Sequence, residues 1–167
     1  MPAGLKASSS PIQISANVES VANAFAQETV QLPLNTLDRE VFVILACDMD
    51  VSAPDLDAAL NTSVRASVTT TSQTNVRTIS AAQTIAGKQR DIRKNGASAV
   101  SFEQFSGDSP HGDIEYLAIL ATDDFHIQID GENNANNKRL HMRIWGYRAT
   151  VTDAGIYAAL VQSELLS

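Results

Sequence analysis

Cysteine, charged residues and aromatic residues are all scarce in this chain of 167 residues. The single cysteine, Cys47, excludes an intramolecular disulfide, and its place beside the apolar run 41–46 predicts a small buried side chain. Charged residues make up 19% of the sequence, below the usual level of about a quarter. Ser, Thr, Asn, Gln and Ala take up the difference. Such a surface carries few repelling charges, which favours packing against neighbours but also fits a plain low-charge soluble domain.

Positive charge is also in short supply. Twelve Lys and Arg residues face nineteen Asp and Glu residues, so the formal net charge is −7. A protein that binds nucleic acid over a broad face usually has the opposite sign. We therefore expect no broad nucleic-acid contact.

Long apolar runs are absent. No stretch approaches the roughly 18 consecutive apolar residues of a membrane-spanning helix, so no transmembrane segment is expected. Residues 1–11 contain one Lys and no apolar core of signal-peptide length, which predicts no targeting segment. Their prolines, Gly4 and the serines 8–10 predict a flexible N-terminal arm, either a disordered tail or a tie between subunits. Residues 12–167 are long enough for a single β-rich domain.

The clearest order lies in the last third of the chain. A strand-like run over 114–121 is followed by strict apolar–polar alternation over 125–130 and over 140–145. Alternation of this kind is typical of half-buried antiparallel strands. Thr152 or Asp153 can cap a closing helix. The apolar residues of that helix are Ile156, Leu160, Val161 and Leu165.

Strands are also predicted upstream, together with two further helices. Residues 40–49 are apolar on both faces at their centre, which predicts a central strand covered on both sides. Pro33 places the strand around it at a sheet edge or a bulge. Helical spacing predicts a short helix over 18–25 and a second one over 78–95, which Gly96 would end. The remaining predicted strands cover 28–34, 63–72 and 99–105, and a loop is predicted over 107–112.

Six or seven strands, frequent turn signals and few helices define the fold class. We predict a mainly β fold, an antiparallel β-sandwich or barrel that is jelly-roll-like, with one or two short helices. The spacing of the strands does not fix their order.

Two oxygen-rich segments are candidate calcium loops. The first contains Asp48, Asp50, Asp55 and Asp57, and the second covers 130–134. Neither has the glycine turn or the closing Glu of a calcium loop. Solvated loops are the favoured interpretation, and we expect no metal or cofactor.

Four cations lie within seven residues, at Lys88, Arg90, Arg93 and Lys94. On a helix they would spread over more than one face. They suit a solvated face, a contact with phosphate, or a contact with an acidic loop of a neighbouring subunit.

The sequence offers no specific reason to propose catalysis. The histidines, His111, His126 and His141, stand 15 residues apart, unlike the close pairs of zinc sites. His126 and His141 can meet if they lie on adjacent strands, although surface positions are the more common outcome. No nucleophile-elbow motif and no phosphate-binding glycine loop is present, and Cys47 has no local partner that would activate it. We therefore predict that the chain is not an enzyme.

Cations and aromatic residues mix near the end of the last predicted strand. Arg143, Trp145, Tyr147 and Arg148 are of types enriched at the centres of protein interfaces. We take these four as candidate interface residues. The alternative is an amphipathic outer strand face on which an Arg stacks locally.

Residues 121–129, 133–134, 143–148 and 157–164 together resemble the carboxy-terminal part of small virion structural proteins. The resemblance is to small capsid proteins built on one jelly roll, as in tailless icosahedral viruses of bacteria and archaea. It implies a jelly roll, self-assembly and a place in the virion. The basic arm with which many coat proteins hold the genome is absent, which suits a shell whose genome is enclosed by other means.

We therefore expect a virion structural protein without catalytic activity, a capsid subunit that assembles with copies of itself and with other virion proteins. A capsid decoration or tail protein is one alternative. A β-sandwich module that binds carbohydrate or another ligand through its loops is the other.

Overall fold

The computed structural model describes residues 2–105 and 114–166, in which ten strands and one α-helix form. A short 3₁₀ turn, Thr36–Asp38, lies between the third and fourth strands. The strands are β1 (Leu5–Ala7), β2 (Ile12–Ser20), β3 (Ala26–Gln31), β4 (Glu40–Val51), β5 (Thr62–Thr69), β6 (Thr84–Asn95), β7 (Ser98–Phe105), β8 (Ala118–Leu120), β9 (Asp124–Glu132) and β10 (Lys138–Val151), and the helix is α1 (Ala154–Leu166).

Two antiparallel sheets of five strands pack face to face. In sheet 1 the order is β1-β10-β4-β8, and β2 also pairs with β10. In sheet 2 the order is β3-β9-β5-β6-β7. β1 pairs with the carboxy-terminal end of β10 and β2 pairs with the rest of that strand, so β10 is central to sheet 1.

The pairing of the strands is that of a jelly roll. β2 pairs with β10, β3 with β9, β4 with β8 and β5 with β6. The chain therefore folds like one long hairpin whose successive strand pairs alternate between the two sheets. The predicted mainly β, jelly-roll-like sandwich is confirmed.

The apolar residues of the alternating runs fill the space between the two sheets. Phe125, Ile127 and Ile129 of β9 are fully buried there, as are Leu140 and Ile144 of β10. The prediction for β4 is also confirmed, because the strand lies between β10 and β8 and is apolar on both faces. Its even-numbered residues Phe42 and Ile44 join the main core, and Val41 and Val43 form a second cluster on the other face.

The two additional helix predictions are wrong. The segment 18–25 begins with the last residues of β2, because this strand pairs with β10 over its whole length. The segment 78–95 contains β6, which pairs with β5 on one side and with β7 on the other. Gly96, with φ of +61°, forms a two-residue hairpin turn rather than a helix end. Pairing on both edges outweighs a weak helical spacing of apolar residues.

The closing helix is confirmed. The Asp153 Oδ1 atom accepts hydrogen bonds from the backbone N–H groups of Gly155 and Ile156, at 2.6 and 3.2 Å. These bonds satisfy two of the free N–H groups at the start of α1.

The strand before Pro33 and the N-terminal segment were also the subject of predictions. β3 is an edge strand of sheet 2, as predicted, and it ends before Pro33. Within the segment predicted to be an N-terminal arm, Leu5–Ala7 form β1 and pair with β10. The predicted loop over 107–112 lies outside the described residues.

Candidate assembly surface

The outer face of sheet 1 is divided into two halves. The helix α1 covers one half, where Tyr157, Leu160 and Val161 pack against the second apolar cluster. The other half is open and polar. It consists of Gln13, Ser15, Asn17 and Glu19 of β2, Asp48 and Asp50 of β4, and Arg139, His141, Arg143 and Trp145 of β10.

The register of the strands arranges this open half in rows. Arg143 lies opposite Ser15 on one side and Asp48 on the other. His141 lies in the same way between Asn17 and Asp50. These rows line an open groove of about 500 Å³. The groove offers donors and acceptors of both charges on a surface that no described residue covers.

Trp145 is the aromatic centre of this surface. Its indole Nε1–H donates a hydrogen bond to the Asp48 Oδ2 atom at 3.3 Å, and the Arg143 guanidinium carbon lies 5.9 Å from the ring centroid. The side chain is nevertheless 39% exposed. Tryptophan and arginine held in place but open to solvent are the residue types that contribute most to binding at protein interfaces.

The other two candidate interface residues lie elsewhere. Tyr147 is half-buried and packs on the second apolar cluster near α1. Arg148 is on the opposite face of β10, where its NH1 group bonds the Glu40 carboxylate at 2.9 Å and the Pro33 carbonyl at 2.7 Å. The structure therefore brings together Arg143 and Trp145 but separates both from Tyr147 and Arg148.

A bulge beside Trp145 marks the limit of the open half. The register with β4 shifts between Trp145 and Gly146, which leaves Leu45 as an extra residue in β4. A Cβ atom on Gly146 would lie 2.3 Å from the Val43 carbonyl oxygen and 2.6 Å from the Phe42 ring, so the bulge requires glycine.

The acidic residues of the first candidate calcium loop serve several purposes. Asp48 and Asp50 belong to β4 and point outward from sheet 1. The Asp55 carboxylate accepts bonds from the backbone N–H groups of Ala135 and Asn136 and from the Lys138 ammonium group. These contacts hold the pKa of Asp55 well below its usual range, with the lysine as the largest cause. The carboxylate of Asp55 thus joins two loops of the protein.

The second oxygen-rich segment is likewise occupied by protein groups. Asp130 forms a two-bond ion pair with Arg65, with both N···O distances at 2.9 Å. The Asn134 amide is buried and donates to the carbonyls of Ser63 and Glu132. Within residues 2–105 and 114–166, no group of three His, Cys, Asp or Glu side chains is placed to hold a metal ion.

The basic cluster lies on β6, not on a helix. Lys88 and Arg90 face the interior side of sheet 2 and donate to the carbonyls of Met49 and Val51 of β4, at 3.1 and 3.0 Å. They close the gap between the two sheets. Lys94 donates to two carbonyls of the β4–β5 loop, and Arg93 is the member that is mostly exposed.

The two described histidines do not meet. His141 is on the outer face of sheet 1, and His126 is on the outer face of sheet 2. The suggestion that they lie on adjacent strands is wrong, because β9 and β10 enter different sheets although they follow one another in the chain. Burial lowers the pKa of His126, whose Nδ1 atom lies 3.0 Å from the Thr29 hydroxyl. His111 lies outside the described residues.

Cys47 is buried, as predicted. Burial, with a smaller effect of Asp48, raises the pKa of its thiol to about 12. A thiol in this state is not a nucleophile at neutral pH.

No pattern in the sequence indicated the buried polar layer on sheet 2. The Gln128 side chain is fully buried, accepts a hydrogen bond from the Ser67 hydroxyl at 2.7 Å and donates to the Thr69 hydroxyl at 2.6 Å. The β5–β6 loop covers this layer, since the backbone N–H of Arg77 bonds the Ser67 hydroxyl. Alternation correctly marked Gln128 as facing away from the core, but it could not show that a loop covers that face.

No helix in the described part of the chain is long and apolar enough to cross a membrane. The sequence matches no protein-family model and has no significant match among curated proteins.

Proposed function

We propose that this chain is a virion structural protein, a capsid subunit that assembles with copies of itself and with other virion proteins. The observation that carries the proposal is the open half of the outer face of sheet 1. There Trp145, Arg143 and Asp48 lie in contact on a broad surface that no described residue covers.

The fold supports the proposal without deciding it. Jelly rolls form viral capsid domains, but they also form lectins and cupins. Function therefore has to be argued from surfaces and sites rather than from the fold. The resemblance of the last third of the chain to small capsid proteins favours the first of these classes.

The surface chemistry favours a protein partner. An exposed tryptophan beside an open groove can bury its ring against a neighbouring subunit, while the charged rows around it pair with groups of opposite sign. Few like charges oppose the approach of a second copy, because charged residues are only 19% of the chain. Many weak contacts of this kind add up when a symmetric shell closes.

The carbohydrate-binding alternative has less support. It relied on the Asp- and Asn-rich loops, whose oxygen and amide groups would have to face a sugar. The side chains of Asp55 and Asn134 instead bond to other segments of the same chain. A decoration or tail role uses the same surface and differs only in the assembly formed.

The test is assembly of the purified full chain, followed by light scattering and negative-stain electron microscopy over a range of concentrations. Shells support the capsid role, whereas tubes or rings support the tail alternative. Trp145→Ala should raise the concentration needed for assembly about 30-fold, which corresponds to a loss of about 2 kcal/mol per contact.

Tyr116→Ala is the matched control, because Tyr116 is also an aromatic residue with 39% exposure and does not belong to the open half of sheet 1. The control variant should assemble like the wild type. A chain that stays monomeric at every concentration contradicts the proposal, and so does a Trp145→Ala variant that assembles as readily as Tyr116→Ala.

A further inference from the structure

The strand β7 is exposed to an unusual degree. It is the last strand of sheet 2 and pairs with β6 through eight consecutive residue pairs, from Asn95↔Ser98 to Lys88↔Phe105. Every residue from Ser98 to Gln104 is exposed, which means that both faces of the strand are open to solvent. Val100 and Phe102 are 55% and 52% exposed. No strand among the described residues pairs with the second edge of β7.

This edge lacks the usual features that prevent strands from pairing. Natural edge strands carry lysines, prolines or bulges that block another chain. β7 has none of these, and its register with β6 is unbroken. Its one charged residue, Glu103, forms an ion pair with Lys88 at 2.6 Å. The strand thus presents a regular, nearly uncharged edge.

The hairpin turn determines which backbone groups point outward. Asn95 and Ser98 close a two-residue hairpin, and the closing pair of such a hairpin exchanges both of its backbone hydrogen bonds. Every second residue of β7 from Ser98 therefore bonds to β6. The backbone N–H and C=O groups of Ala99, Ser101 and Glu103 point to the free edge.

We infer that β7 pairs antiparallel with the β7 strand of a second copy of this chain, about a two-fold axis at Ser101. In this register Ser101 faces Ser101 of the other copy, and Ala99 faces Glu103. The residues whose backbone groups point outward therefore meet as hydrogen-bonded pairs. The inference deepens the proposed function, since it names one contact by which copies of the chain would associate.

A second copy is the partner that this strand fits best, because the sequence is complementary to itself. Val100 and Phe102 of one copy would lie opposite Phe102 and Val100 of the other, giving two pairs of a β-branched and an aromatic side chain. Each Glu103 would lie opposite Ala99 and remain beside its own Lys88, so the two like charges are kept apart. The free backbone groups require that odd-numbered residues of β7 face each other. Among the registers that meet this condition, the one centred on Ser101 places Val100 and Phe102 opposite each other in both pairs.

Cysteine cross-linking of the full chain tests the register. In Ser101→Cys the two new cysteines would have Cα atoms about 5.5 Å apart, within the range for a disulfide. In Ala99→Cys they would be four residues out of step, about 14 Å along the strands. Ser101→Cys should form a covalent dimer on oxidation or with a short bis-maleimide, and Ala99→Cys, on the same face of β7, should not. Cys47 is buried and does not compete.

Proline substitution tests the backbone pairing. Ser101→Pro removes an N–H group that points to the free edge, so it leaves the β6–β7 pairing intact. It should weaken dimer formation at least tenfold in sedimentation velocity, whereas Ser101→Ala, which keeps the N–H group, should not.

The results separate this inference from the proposed capsid role. Particles that form while Ser101→Cys and Ala99→Cys fail to cross-link, or cross-link equally, would overturn the β7 contact and leave assembly standing. Dimers linked through Ser101→Cys without larger particles would support the contact and count against the capsid role. Pairing of β7 with a strand of another protein, and not with itself, would overturn the inference.

Discussion

The ion pair between Asp55 and Lys138 should be one of the most sensitive points of this fold. Lys138 is only 3% exposed, and its ammonium group donates to the Asp55 carboxylate at 2.6 Å and to the Ala53 carbonyl at 3.0 Å. The same carboxylate accepts the N–H groups of Ala135 and Asn136. The pair thereby holds the β4–β5 loop against the β9–β10 loop.

The substitution Asp55→Asn keeps the shape of the side chain and removes its charge. Breaking a buried pair from one side costs about 3–5 kcal/mol, because a charge is left without its partner. The Asp55 side chain is 23% exposed, so water can reach the lysine, and we expect the lower end, about 3 kcal/mol. For a domain of this size that corresponds to a fall in Tm of about 6–12 °C.

Urea unfolding at pH 7, followed by circular dichroism, measures this loss as a lower midpoint with an unchanged m value. Asp50→Asn is the control, because Asp50 is exposed on the outer face of sheet 1, and it should stay within about 0.5 kcal/mol of the wild type. In the double variant Asp55→Asn/Lys138→Met no buried ammonium group is left without a partner. The double variant should therefore lose less stability than the two single variants added together.

The pH dependence gives a second measurement. The pKa of Asp55 is lower in the folded protein than in the unfolded chain. Its contribution to stability is therefore present above the unfolded pKa and is lost as the pH falls through the lower folded pKa. The difference in the free energy of unfolding between the wild type and Asp55→Asn should therefore become smaller at acidic pH. A loss below about 1 kcal/mol at pH 7, or strict additivity in the double variant, would refute the reasoning.

Two further predictions concern single positions. Gly146→Ala should lower the free energy of unfolding by about 3 kcal/mol, because the new Cβ would meet a backbone oxygen at 2.3 Å. Thermal unfolding should show a clearly larger loss of stability than in Gly96→Ala, where no atom lies within 4 Å and only the positive φ opposes alanine. Equal losses in these two variants would contradict the steric argument. Burial raises the pKa of Glu164 above its ordinary value of 4.5. The contribution of this carboxyl group to the free energy of unfolding is therefore complete below pH 4.5, and it is lost as the pH rises through the folded pKa. Glu164→Gln, which does not ionise, should therefore gain stability relative to the wild type between about pH 4 and pH 7 in urea unfolding, and a difference that does not change with pH would show that burial has little effect on this carboxyl group.

Local patterns in the sequence predicted most of the strands. The alternation at Phe125, Ile127 and Ile129 identified β9, and the apolar run at 41–45 identified β4 as a central strand. These predictions succeed because a strand with one buried face needs an apolar residue at every second position. The helix α1 was predicted for a similarly local reason, the capping side chain of Asp153.

The prediction failed for β6 because strand pairing is not a local property. The apolar residues of 78–95 show only a weak helical period, and β6 forms because β5 and β7 bond to both of its edges. The four candidate interface residues lie in separate places for a related reason. Trp145 and Tyr147 both point outward from β10, yet one stays open and the other lies near α1.

The sequence alone determined that this chain forms pleated sheets, that it carries few charges and that a helix closes it, because each of these follows from residues close together in the chain. Only the tertiary structure decided the jelly-roll order of the strands, the loop that buries Gln128, the open surface around Trp145 and the free edge of β7. The physical reason is that burial and pairing depend on which distant segments come to lie beside a strand, and the residues of that strand do not encode this by themselves.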